Sequence, residues 1–325
     1  MILSMRILWK ATAASLLGIV LAATAHAQVR ILVGFSAGGT SDVIARLISE
    51  RVAASLGTPV LVENRPGANG FLAAEALKIS APDGRTLMIA PIAVTVFAPL
   101  THENLRFDPV KDFAPVSLAA NFQFALAVGS MAPAKSLPEH IAWLRATPAK
   151  AVYGVPLAGG PGHFLGVMVA QAAGVELAFV PYKGSAALVA ELLGGHVPAG
   201  IAPVNDLVKH HQSGKLVMLA SFGSTRSAVA PEVPTFKELG FANLDVAGWQ
   251  AFYATAGTPR PVIERLSAAI SSAVRGADVS QRLLALGLEP VGSTAEELER
   301  RMAEDIVRWT PAVKASGFRA SEPGR

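Results

Sequence analysis

From Val29 onward the chain repeats one unit: a short run of β-branched residues, a glycine-rich turn, and a stretch whose apolar residues recur every three or four positions. The first part has the look of a strand and the last the period of a helix, so each unit is a strand followed by a helix. Successive units of that kind need crossover connections and a mainly parallel sheet. A strand is expected at 29–34. After Gly38, Gly39 and Thr40 comes a helix with Ile44, Leu47, Ile48, Val52 and Leu56 on one face and Gly57 as its stop. A strand at 59–62, a helix at 70–80 and a strand at 86–90 follow. A second series begins near Ala125, with strands at 124–128, 151–155, 177–180, 197–202 and 215–220. Helices at 138–146, 163–173, 185–193 and 205–212 alternate with them. Beyond a proline-rich connection at 230–235, a strand at 246–254 leads into helices at 261–275, 280–286 and 295–315. Ser293 or Thr294 caps the last helix, with Glu296 and Glu297 in its first turn. Two α/β lobes are the economical reading.

The N-terminus is a targeting segment. Arg6 and Lys10 precede an apolar run at 11–23, and Ala25-His26-Ala27 offers small residues where a signal peptidase reads. The run is shorter than the roughly 20 residues of a spanning helix. Cleavage is expected before Gln28, giving a soluble exported protein that in a bacterium resides in the periplasm. A hydrophobic content of 51% with 16% charged residues supplies a packed core and excludes disorder. The absence of cysteine excludes disulfides, thiolate metal sites and cysteine nucleophiles. Net charge is only +4, and aromatic residues do not interleave with basic ones, so nucleic acid is not an expected partner.

Three strand-to-helix turns carry the chemistry. Gly34-Phe35-Ser36-Ala37-Gly38 matches the G-x-S-x-G nucleophile elbow, which would make Ser36 the nucleophile of a serine hydrolase, with His163, His196, His210 and His211 as eligible bases. An elbow on the first strand leaves no earlier turn to supply a second oxyanion donor. The other reading uses the backbone: Gly38, Gly39 and Thr40 open a helix whose free N–H groups attract an anion, and Asp42 can cap its first turn. Leu157-Ala158-Gly159-Gly160-Pro161-Gly162-His163 repeats this arrangement in the second series, with Pro161 suited to the first helical turn. Two such helix starts could grip one small acid. The third turn is Pro91-Ile92-Ala93-Val94-Thr95, mostly apolar with one hydroxyl. Tyr182 and Lys183 lie on a further turn, Lys183 either solvated or facing the cleft. Adjacent His210 and His211 point apart on a helix, so no metal is expected. No cofactor is implied.

Together these strings carry a resemblance. Val33-Gly34-Phe35-Ser36-Ala37-Gly38-Gly39-Thr40-Ser41-Asp42, Val62-Glu63-Asn64-Arg65-Pro66-Gly67-Ala68-Asn69-Gly70, Pro82-Asp83-Gly84, Phe107-Asp108-Pro109-Val110-Lys111-Asp112-Phe113 and Val180-Pro181-Tyr182-Lys183-Gly184 resemble the Bug family, the periplasmic solute receptors of tripartite tricarboxylate transporters. Gly214-Lys215-Leu216, Pro231-Glu232-Val233-Pro234-Thr235, Ala256-Gly257-Thr258-Pro259 and the end region 309–318 extend it over the whole chain beyond the targeting segment. The resemblance implies an α/β, two-lobed periplasmic binding protein, a type II-like Venus flytrap whose lobes are mainly parallel sheets flanked by helices. It implies crossings near Ala127 and Ala247: 1–27 signal peptide, 28–126 and 248–325 the first lobe, 127–247 the second. A monomer is expected, binding a small carboxylate and serving the membrane subunits of a tripartite transporter or a sensor protein.

The ligand is then expected against Phe35, Ser36, Ala37, Gly38, Gly39, Thr40 and Asp42, Pro91 and Ile92, Leu157, Ala158, Gly159, Gly160, Gly162 and His163, Tyr182 and Lys183, and Pro203, held by backbone N–H groups and ordered waters. A side chain at Gly39 or Gly160 would clash if either takes a positive φ or lets the ligand approach closely. Gly160-Pro161-Gly162 replaces the family's Ser- and Thr-rich turn, Pro198 its usual acid, and Ala202-Pro203 its Asp-Asn pair. A plain carboxylate, with or without an apolar or aromatic tail, therefore fits better than an amino acid.

Overall fold

The computed structural model describes residues 28–320, so the signal-peptide reading of 1–27 lies outside the described residues. Ten strands are linked through one of them. The first sheet carries β1 (Val29–Val33), β2 (Val60–Asn64) and β3 (Thr86–Pro91) as a parallel set, with β1 in the middle. β1 is buried on both faces, as strands of a covered parallel sheet are. Helix Thr40–Leu56 lays Ile44, Ala45, Ile48, Val52 and Leu56 into the core and stops at Gly57, whose φ of 64° only glycine adopts readily.

The strand that joins the two halves is β4, Phe113–Val128, sixteen residues long. Its first part, as far as Gln123, runs antiparallel to β9 (Ala247–Thr255), and its last part, from Phe124, runs antiparallel to β7 (Ala199–Pro203). One strand thus belongs to two sheets. Only its last five residues were expected as a strand. Pro115 and polar Asn121 and Gln123 hid the rest, and the pairing with β9 indeed slips between Pro115 and Ser117, where the missing proline N–H is tolerated. In the second sheet β5 (Val152–Val155), β6 (Ala178–Pro181) and β7 are parallel, and β8 (Val217–Ser221) pairs antiparallel with β4. Each sheet therefore keeps three parallel strands and adds antiparallel crossing strands. A short β10 (Leu288–Pro290), not expected from the sequence, also pairs with β4.

The third turn is a helix. After β3 the chain enters a π-helical segment, Ala93–Phe97, that runs directly into a helical turn at Ala98–Thr101. The Thr95 hydroxyl is buried and accepts from Tyr253, so it does not reach the cleft. The long helix Ala295–Ala315 starts with a capping box between Thr294 and Glu297. Phe97 stacks on Phe164 at 5.6 Å and packs against Trp309 at 4.7 Å, so an aromatic cluster ties the C-terminal helix and the first sheet to the second lobe.

Candidate functional site

Both glycine-rich turns have one construction. In the first, Gly39 N–H donates to Ser36 O at 3.2 Å across a turn in which Gly38 takes φ 83°, and Gly39 is the extended N-cap of helix Thr40–Leu56. Gly38 N–H donates to the Asp42 carboxylate at 2.9 Å, four residues on. In the second, Gly160 N–H donates to Leu157 O at 3.2 Å, Gly159 takes φ 73°, and Gly160 is the extended N-cap of helix Pro161–Ala173. Gly159 N–H donates to His163 Nδ1 at 3.3 Å, again four residues on. Neither Gly39 nor Gly160 takes the positive φ that would make a side chain there clash; it falls one residue earlier, because a turn closed by an i to i+3 bond places its strained backbone at the third residue.

Asp42 is a clasp. Its carboxylate, 3% exposed as a residue, also receives Arg46 Nε at 2.9 Å and Asn64 Nδ2 at 2.8 Å, and Asn64 donates as well to Phe35 O. Burial alone would raise its pKa, but the hydrogen bonds from Arg46, Gly38 and Asn64 outweigh it and hold the carboxyl below the usual carboxylate value. His163 plays the corresponding part without charge. It is wedged among Phe164, Phe179 and Phe318, and burial pushes its pKa down to about 4.

The surroundings of the two turns differ. Ser36, Ala37 and Gly38 are exposed, and Gly38, Gly39, Thr40 and Val43 form one wall of a cleft of about 560 Å³. Its opposite wall is helix Val204–Gln212, through Asn205, Asp206, Lys209 and Gln212, with Val229 and Leu286 at one end. The first helical bond is Val43 N–H to Gly39 O, so the amides of Thr40, Ser41 and Asp42 precede it. Leu157, Ala158 and Gly159 instead line a gap of only about 10 Å³ against Asn69, Phe71, Ala93, Thr101 and His102. Gly160, Gly162 and His163 are buried, with Phe318 against Gly159 and the His163 ring. There His163 N–H already reaches Gly160 O and Pro161 has no N–H, which leaves Gly162.

The remaining expected positions lie apart from these cavities. Pro91 and Ile92 are buried, and Ala93 faces the narrow gap in their place. Tyr182 packs beside Gly154, and Lys183 is exposed on the following turn. Pro203 caps helix Val204–Gln212 without lining the cleft. The far wall was missed altogether, although its signal was present: Asp206 and Lys209 stand one helical turn apart just after the carboxyl end of a strand, where α/β proteins bind ligands.

Among the described residues the hydrolase geometry is not assembled. The Ser36 hydroxyl has no histidine partner, while His163 is committed to Gly159, His196 to Glu191 and His211 to Glu232. Among those residues, too, no helix is long and apolar enough to cross a membrane.

Comparison with known proteins agrees on one lineage. Residues 44–318 match the model of the tripartite tricarboxylate transporter family receptor. Protein BugT of Bordetella pertussis is 32% identical over 293 residues, covering 89% of each chain. Among solved structures, R. palustris Rpa4515 with adipate is 29% identical with a TM-score of 0.82, covering 90% of this chain and 98% of that one. MatC from Rhodopseudomonas palustris with bound malate is 30% identical with a TM-score of 0.76, covering 88% and 98%. A two-lobed α/β fold shared with solved receptors and a family match over most of its length establish that this chain belongs to the tripartite tricarboxylate transporter receptor family.

Proposed function

We propose that this protein is a non-enzymatic periplasmic receptor that holds a small organic acid in the cleft between Gly38–Val43 and helix Val204–Gln212, and hands it to the membrane subunits of a tripartite transporter or to a sensor. The observation that carries this reading is the helix start itself: the amides of Thr40, Ser41 and Asp42 precede the first helical bond, and Gly38, Gly39 and Thr40 line a cleft of about 560 Å³. A helix start of this kind binds a carboxylate without a dedicated cation. The similarity to Rpa4515 with adipate and MatC with malate supports aliphatic acids as the class. The change of partner along β4 at Gln123 and Phe124 supports lobes of 28–126 with 248–325 and of 127–247, and a cleft between lobes that closes on its ligand. Export with cleavage before Gln28 completes the reading.

Isothermal titration and thermal shift of residues 28–325 against aliphatic diacids, monoacids and aromatic acids test it. At least one acid is expected to bind, with a smaller radius of gyration in small-angle scattering at saturation, and Lys183→Ala should change its affinity less than threefold. No binding across the panel would overturn the receptor reading. So would an esterase activity abolished by Ser36→Ala.

A further inference from the structure

Among the described residues two carboxylates are fully sunk into the fold, and each has an arginine one helical turn away. Asp42 pairs with Arg46 at 2.9 Å and Asp305 with Arg301 at 2.8 Å. Asp206 departs from that pattern. It sits in the first turn of helix Val204–Gln212, accepts from Asn205 Nδ2 at 2.9 Å and from the Ser185 hydroxyl, and forms no ion pair among the described residues. Burial holds its carboxyl above the ordinary carboxylate value despite the Ser185 hydrogen bond. Asp206 is partly buried, and a carboxylate partly withdrawn from water without a cation is costly; such groups are concentrated at sites of function. Asp206 lines the same cleft as Gly38, Gly39 and Thr40. A carboxylate offers about four acceptor positions, so two hydrogen bonds leave capacity for a ligand. Lys209, exposed and also without an ion pair among the described residues, lines the same cleft three residues on.

We propose that Asp206 is the specificity-determining residue of this cleft, accepting a hydrogen bond from a hydroxyl or ammonium group on an acid whose carboxylate lies against the Thr40, Ser41 and Asp42 amides, so that donor-bearing acids are preferred over their plain counterparts. The proposal rests on the receptor reading above. It replaces the expectation, drawn from Pro198 and Ala202-Pro203, that a plain carboxylate fits best: the acid absent at those positions is supplied from the next helix.

The test is isothermal titration of the wild type, Asp206→Asn and Asp206→Ala with two matched sets: succinate, malate and aspartate, and adipate with its 2-hydroxy and 2-amino derivatives. In the wild type at least one donor-bearing acid should bind tenfold or more tightly than the plain acid of its set. Asp206→Ala should bring that ratio within threefold while plain-acid binding holds or improves. Asp206→Asn, which keeps an acceptor oxygen and removes the charge, should retain a preference for hydroxyl and lose one for ammonium, separating the two donor types. Thermal unfolding of the unliganded variants within a few degrees of wild type shows that the fold is intact. If plain and donor-bearing acids bind the wild type alike, or the preference survives Asp206→Ala, the proposal falls and the receptor reading stands. If no acid binds at all, both fall.

Discussion

Ser36-Ala37-Gly38-Gly39-Thr40-Ser41-Asp42 and Leu157-Ala158-Gly159-Gly160-Pro161-Gly162-His163 are two versions of one device. Both close a turn on a positive-φ glycine, both use the next glycine as an extended N-cap, and both return a side chain from the first helical turn to the turn's own N–H. They differ in what remains available. The first has three helix-start amides that precede its first helical bond, lines an open cleft through Gly38, Gly39 and Thr40, and is clasped by a charged carboxylate with an arginine behind it. The second has lost one donor to Pro161 and is clasped by a neutral imidazole beneath Phe318. The same backbone thus lines an open cleft in one case and is packed beneath Phe318 in the other.

Removing the first clasp should have the largest effect. Asp42→Ala leaves Gly38 N–H, Arg46 and Asn64 without their shared acceptor, and loss of several hydrogen bonds to a buried carboxylate should cost about 3 kcal/mol of stability in urea unfolding. A loss under about 1 kcal/mol would mean that the turn holds its shape unaided.

Converting one turn toward the other comes next. Gly39 has φ −74° and ψ 166°, a conformation that accepts a following proline, so Thr40→Pro removes one donor at the first helical position and copies Pro161. Because a hydrogen bond to a charged group is worth about 1.5–3 kcal/mol, ligand affinity should fall roughly ten- to hundredfold. The reciprocal Pro161→Thr should change affinity far less, since that helix start is buried. Equal effects in the two variants would restore a symmetric grip.

The two positive-φ glycines should separate by a smaller margin. A Cβ at Gly38 meets nothing within 4 Å, whereas at Gly159 it would stand 2.6 Å from the Phe318 ring. Gly38→Ala should cost about 1 kcal/mol for its backbone alone, and Gly159→Ala about 1–2 kcal/mol more as Phe318 is displaced. Thermal unfolding of the pair measures the difference, and identical midpoints would contradict the occlusion of the second turn.

Acid should distinguish the clasps last and most gently. His163 stays neutral in the folded protein down to about pH 4, while in the unfolded chain it takes up a proton near its ordinary value of 6.5. Between those values the unfolded state binds more protons, so stability falls as pH falls, by at most about 1.4 kcal/mol per unit. Buried His140, with its pKa also pushed down to about 4, contributes in the same sense, so the comparison is wild type against His163→Gln. The variant should show the shallower slope. Asp42 has the opposite chemistry, its depressed pKa keeping its contribution intact until the pH drops below the ordinary carboxylate value of 3.8. An unchanged slope in His163→Gln would remove the imidazole from this role.

Much of this architecture was legible in residue order. The alternation of strand and helical periods placed most elements, because side-chain period is a local property. β4 escaped because Pro115 and its polar neighbours disguise a strand whose length is justified only by pairing with β9 and β7. The helical segment after β3 escaped because Ala93–Phe97 carries β-branched residues that suggest extended chain, and packing overrode that preference. In the site, the glycine turns were legible. The clasps were half so: Asp42 was expected to cap the helix and instead ties the turn before it.

Sequence alone determined the shape of each turn, since positive-φ glycines, N-caps and contacts from residue i to i+4 lie within seven residues and obey local sterics. It did not determine which turn a ligand can reach. That depended on Phe318 arriving more than a hundred residues later to cover Gly159, and on helix Val204–Gln212 bringing Asp206 opposite Gly38 without a cation. Burial and charge pairing are properties of residues distant in the chain and adjacent in space, and only the tertiary structure brings them together.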